Sequence, residues 1–308
     1  MLKSLAHSEA RDFNYSYASL PKYFVNKADL EEKTQRAYNF LTKYIPDPID
    51  RNLYPIKIEL TPLENYLGFV HHTDNENQTI KVHDNMKSAV EYQLVLIHEL
   101  THILRNAYQP NEERWIQEGL ANLIQTLYAG QWPEGFENQF RNLKFYHLSN
   151  DIEDYQIHSQ GYLVSYFFMY YLYAHFGREL FIHDIATSSE SGSKNIEAAT
   201  LSYKKRNSSS IEPNFLTFDS IWTHFSFAVL LNDSYLAKYN LFFLDSSFSP
   251  TKDLLAELKD KHTSLCAFRR YCFYFQKSGL TIKNYISLST KSATYQFSLD
   301  SQKISEIK

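Results

Sequence analysis

The sequence predicts an α+β protein, with a small, mostly antiparallel sheet packed on a long helix and a mainly helical subdomain after it. Three observations carry this. Short alternating or β-branched runs fill residues 54 to 84, and apolar residues recur at helical spacing from about 87, 112 and 161. The composition is rich in rings and poor in glycine: 24 Tyr and 22 Phe stand against 8 Gly, so few tight glycine turns are available and helices are favoured over a many-stranded sandwich.

Residues 27 to 45 place Leu30, Ala37, Phe40, Leu41 and Tyr44 on one side of a helix, which Pro46 and Pro48 end. YPIKIEL, YLGFVHH and QTIKVHD then read as strands of a sheet at about 54–84, separated by the polar turns TPLEN and TDNENQ. Over about 87–106, Leu94, Ile97, Thr101 and Leu104 form a stripe that Leu96, Leu100 and Ile103 widen, so this helix is expected to be mostly buried. Pro110 and Asn111 break it, and a second helix follows to about 128. An aromatic helix over about 161–176 is expected to stop at a glycine cap, Gly177.

The serine-rich stretches 187–194 and 206–213 read as loops around a short helix and mark a boundary. A catalytic region over 1–195 and a C-terminal subdomain over 196–308 are expected. FDSIWTHFSFAVLLND and TKDLLAELKDKH look helical, whereas the last thirty residues mix strand-like and polar pieces.

Charge and motifs exclude several function classes. The net charge of -4 and a single short basic cluster, Lys204, Lys205 and Arg206, give no reason to expect a nucleic-acid partner. No run reaches the ~18 apolar residues of a membrane span, and MLKSLAHSEARDF has no signal-peptide core. A soluble chain is expected, cytoplasmic if Met1 is native and exported if a leader was removed. Cys266 and Cys272 make no disulfide framework and read as a reduced structural pair. There is no nucleophile elbow, phosphate loop or dinucleotide fingerprint.

The informative segment is LVLIHELTHIL, Leu94 to Leu104, a His-Glu-x-x-His pattern inside an apolar helix. Residues four apart on a helix lie about 40° from each other, so His98 and His102 face one point as two metal ligands. Glu99 falls beside them, where its carboxylate can reach a water at the metal without binding the ion. Catalytic zinc takes three protein ligands, and Glu118 in RWIQEGLANL, brought back by the turn at Pro110, is the candidate third. Asn122, one turn further, would hold a ligand imidazole from behind. Two His and a Glu on a buried stripe would cost roughly 1 to 3 kcal/mol each without partners, a cost a metal removes.

These segments resemble the gluzincin branch of the zincin metallopeptidases, in which an HExxH helix is followed by Trp-x-x-Glu-Gly-x-Ala. Here that second segment is Trp115, Ile116, Gln117, Glu118, Gly119, Leu120, Ala121. GYLVSYFFMYYLYAHFG is similar to the family's aromatic Tyr-x-x-Ser helix, and FDSIWTHFSFAVLLND to its later Phe-x-x-x-Trp segment; the likeness spans about Tyr66 to Asp233.

The resemblance implies a zincin-like fold, one Zn2+ per chain and a peptide or protein substrate. It also implies Glu99 as the base that takes a proton from water and passes it to the leaving amine. The oxyanion donor would come from a downstream helix, where Tyr162 matches the family position and His158 and Tyr166 are rivals one turn away. The Gly-x-Met-Glu-Asn strand of aminopeptidase relatives is absent and LGFVHH stands in its place, which favours an endopeptidase.

An extended substrate is expected to pair with an open sheet edge, for which Thr79 to His83 is the candidate. His71, His72 and His83 read as surface histidines at strand ends. Two other readings stay open. An inactive zinc-binding relative serving as a protein-binding module would tolerate Glu99→Gln. A structural protein with an accidental HExxH would bind no metal.

Overall fold

The computed structural model describes residues 13–48, 53–71, 78–130, 155–207, 217–222 and 225, and five strands between 263 and 307; the side chains of 155–163 and of those strands lie outside the description. The chain forms two compact units. One comprises Met1–Glu112, Leu120–Trp132 and Ile182–Ser191, the other Glu113–Gly119, Pro133–Phe181 and Gly192–Lys308.

The first unit is built on a four-stranded sheet. Its elements run β1 (Phe13–Tyr17), α1 (Lys27–Leu41), β2 (Ile56–Thr61), β3 (Gly68–His71), β4 (Thr79–His83) and α2 (Ala89–Tyr108), and the strand order is β1-β2-β4-β3. The expected mostly antiparallel sheet is corrected here: β1 pairs β2 and β2 pairs β4 in parallel, and only β3 runs antiparallel to β4. The cause is α1, because parallel neighbours cannot be joined by a tight turn and a helical crossover between β1 and β2 supplies the connection. A second correction follows from the order. Thr79–His83 is bonded on both sides, so the edge beside it is β3.

The alternation of β2 sorts its two faces. Ile56, Ile58 and Leu60 are buried, as are Ile80 and Val82 of β4, each worth about 1.5–3 kcal/mol. The opposite face carries Lys57, Glu59 and Lys81, with Glu59 3.3 Å from Lys57 and 3.8 Å from Lys81, a part-exposed network that adds little. Helix α2 lies against β3 and β4, and against α1.

Both helices begin on side-chain caps. Asn26 accepts the Asp29 amide at 3.0 Å in α1, and Ser88 accepts the Glu91 amide at 3.1 Å in α2. The two are tied where Tyr92 Oη and Thr34 Oγ1 share a buried hydrogen bond of 2.7 Å and Gln93 donates to the Lys33 carbonyl at 3.0 Å.

Helix α3 (Arg114–Ala129) runs through both units, and α4 (Tyr155–His175), α5 (Glu179–Thr187) and α6 (Ser193–Arg206) follow. The expected glycine stop of α4 is present, since Gly177 has φ +101. The aromatic composition is spent in the second unit. Trp115 and the rings of Phe168, Phe218, Trp222 and Phe225 form one buried layer, with Phe168 4.9 Å from Trp222 and 5.1 Å from Phe225.

Residues 218–222 and 225 are helical, as expected from FDSIWTHF, while TKDLLAELKDKH lies outside the described residues. Beyond 262 the expectation of a mainly helical subdomain is corrected. Every described residue there belongs to a five-stranded antiparallel sheet of sequential order: β5 (Thr263–Phe268), β6 (Tyr271–Phe275), β7 (Tyr285–Ser289), β8 (Thr294–Ser298) and β9 (Ile304–Ile307). Cys266 and Cys272 are register partners across β5 and β6.

Candidate metal centre

Helix α2 carries His98 and His102 one turn apart, their ring centroids 4.9 Å from each other and their planes at 80°. Both are half-buried. Glu118, on α3, is 9% exposed, and its carboxylate meets the Nε of Arg114, one turn earlier on the same helix, at 3.5 Å. The three residues come together: one ligand atom from each lies within 4.8 Å of the others, and the group could hold a metal ion.

The donor set fits such an ion. A tetrahedral site with bonds of about 2.1 Å spaces its ligand atoms about 3.4 Å apart, so side-chain movements on the order of 1 Å close the set around the ion. Two imidazoles and a carboxylate suit a borderline divalent metal better than calcium or magnesium, which take oxygen ligands.

Glu99 is buried, 7% exposed, on the face of α2 turned toward β3: a Cβ built on Gly68 would lie 3.4 Å from the Glu99 Cγ. Asn122 is half-buried one turn beyond Glu118 on α3. No family model and no curated protein matches the chain.

Helix α4 begins at Tyr155, six residues before the expected start, so His158, Tyr162 and Tyr166 all lie on it at intervals of one turn. The side chains of His158 and Tyr162 lie outside the description, while Tyr166 is 2% exposed, with Phe167 5.6 Å away ring to ring. His71 is exposed at the end of β3, and His83 Nδ1 accepts the Asn85 amide at 3.0 Å, a turn role. His72 lies outside the described residues.

Sequence reasoning missed the packing roles of three residues around the site. Gly119, next to Glu118, is where α3 meets α4: an added Cβ would stand 2.8 Å from both the Ser165 carbonyl oxygen and Met169 Cγ. Gly68 makes a similar approach to α2. Arg105, three residues past His102, is wholly buried and spends all five donors. Its Nε and Nη2 reach Glu112 at 3.1 and 2.5 Å, Nη1 reaches the carbonyls of Ala186 and Ser188 at 3.1 and 2.6 Å, and Nη2 that of Glu190 at 3.0 Å. The one available signal was an arginine inside the apolar register of a helix that ends within a turn of an acidic residue. Among the described residues no helix is long and apolar enough to cross a membrane.

Proposed function

We propose that this chain is a zinc-dependent peptidase of gluzincin type with a zincin-like catalytic region. The convergence of His98, His102 and Glu118 carries the reading, because it is the three-ligand set that the HExxH and Trp-x-x-Glu-Gly-x-Ala segments lead one to expect. His98, His102 and Glu118 hold the ion, which when bound acts as a Lewis acid and lowers the pKa of water toward ~7.

The rest of the chemistry belongs to the chain. Glu99 takes a proton from the attacking water and delivers it to the leaving amine, a role worth about 10²–10⁴ in rate. A hydroxyl or imidazole of α4 donates to the oxyanion at the peptide carbonyl, with Tyr162 first and His158 and Tyr166 as rivals. Asn122 orients an imidazole. The substrate backbone pairs with β3, one of the two outer strands of the sheet and the one in contact with the Glu99 turn of α2, as an added strand. Docking of an extended chain along an edge, without a grip on a free amino terminus, favours internal cleavage.

The test begins with elemental analysis of protein purified without added metal or chelator. About one zinc per chain is expected in the wild type and clearly less in Glu118→Ala. Glu99→Gln should keep its zinc and lose peptide hydrolysis by about 10²–10⁴. A wild type that takes up no zinc even after reconstitution overturns the proposal, and one that binds zinc but cleaves nothing points to a zinc-binding module.

A further inference from the structure

Gly68 opens β3 opposite Val82 of β4. It is not among the glycines with positive φ, which are Gly130, Gly177 and Gly192. A left-handed backbone therefore does not call for glycine here. Space does. A Cβ at this position would stand 2.4 Å from Val95 Cγ1, 3.3 Å from the Lys81 carbonyl oxygen and 3.4 Å from Glu99 Cγ.

The first distance is far inside ordinary carbon contact of about 3.5–4.0 Å. The obstacle cannot swing aside, because a valine on a helix is held in one strongly preferred rotamer and Val95 is only 6% exposed. Val95 and Glu99 are one turn apart on α2, so whatever moves Val95 moves the turn that carries Glu99. A methyl group at residue 68 would push edge strand and helix apart by about 1 Å, and an error of that size at a reacting centre costs roughly 10²-fold.

We infer that Gly68 is a positioning residue: its missing side chain lets β3 lie against Val95 and Glu99 and so fixes the distance between a substrate backbone docked on β3 and the base. The inference rests on the peptidase reading. It assigns Gly68 no contact with the metal.

The test compares zinc-loaded wild type, Gly68→Ala, Val95→Ala and the double variant for zinc content, denaturation midpoint, and kcat and KM on a peptide the wild type cleaves. Gly68→Ala should keep its zinc and lose kcat by about 10- to 100-fold with little change in KM. Val95→Ala, which removes the obstructing methyl, should bring the double variant back to within a few-fold of Val95→Ala alone. The midpoints of the two single variants should fail to add in the double.

A Gly68→Ala enzyme with wild-type kcat overturns the inference, and so does a double variant no better than Gly68→Ala. If Gly68→Ala does not fold, the comparison of double with Val95→Ala decides alone, and a large kcat loss there overturns it. A zinc-loaded wild type that cleaves nothing defeats the peptidase reading instead, and the midpoints still report whether Gly68 and Val95 touch.

Discussion

Arg105 and Glu112 form an ion pair in which neither side chain has any exposure. Burial pulls the arginine below its usual range and the carboxylate beside it opposes this, so the pair is held by geometry and by the three carbonyls that absorb the remaining donors. It closes the end of α2 onto its own following turn and onto the segment after α5.

Arg105→Met should therefore destabilise the protein by about 3–5 kcal/mol, since it leaves a buried carboxylate without its counter-charge. Arg105→Met combined with Glu112→Leu should cost clearly less, although the carbonyls still lack donors. Denaturant midpoints of the two variants measure the difference.

His175 should make stability depend on pH. Its Nε2 is buried with no hydrogen-bond partner among the described residues, Tyr171 lies 4.5 Å away ring to ring, and burial pushes the imidazole down to about 4. The unfolded chain thus binds the proton more readily than the folded one. The neutral histidine leaves stability intact above the unfolded value of about 6.5, and stability falls as pH drops from there toward about 4, by up to about 3 kcal/mol. His175→Phe should flatten that decline. Urea unfolding of chelator-treated wild type and His175→Phe side by side between pH 4.5 and 7.5 tests it without interference from metal release.

Gly119→Ala sets two effects against each other. Alanine is favoured in a helix by about 1 kcal/mol, but the new methyl would stand 2.8 Å from a main-chain oxygen that has no rotamer to change. Overpacking of this kind costs about 1–3 kcal/mol, so a net loss of stability is expected. Calorimetry of the variant beside wild type decides it, and a gain in midpoint would mean that α3 and α4 do not approach this closely.

The helices that carry His98, His102 and Glu118 were legible because one periodicity does two jobs there. The spacing that buries Leu96, Leu100 and Ile103 also sets His98 and His102 one turn apart, and Pro110 marks the turn that leads to Glu118. The sheet was legible in its strands and not in its topology. FNYSY alternates as a strand does but is only five residues long and isolated before α1, and until β1 is paired with β2 nothing identifies α1 as a crossover or shows that β4 is interior. Parallel pairing and edge position are properties of neighbours, which no single segment encodes. The C-terminal sheet is legible only as strand-like pieces for a related reason: runs such as YISLS and TYQFS become a sheet only through their pairing. The packing roles of Gly68, Gly119 and Arg105 were invisible because a close approach or a buried charge exists only once two elements have met.

His102 and Glu118 are sixteen residues apart in the chain and His98 and His102 four, so an ion gathering all three would cross-link only a short span of polypeptide. Unlike a covalent bridge, such an ion leaves the chain when it unfolds, so the loop it closes does not restrict the denatured ensemble as a disulfide would. Metal at this point would act poorly as a staple. Its stabilising effect would come from affinity for the finished fold and would scale with free metal concentration, leaving the apo chain to fold on its own sheet, helices and aromatic layer.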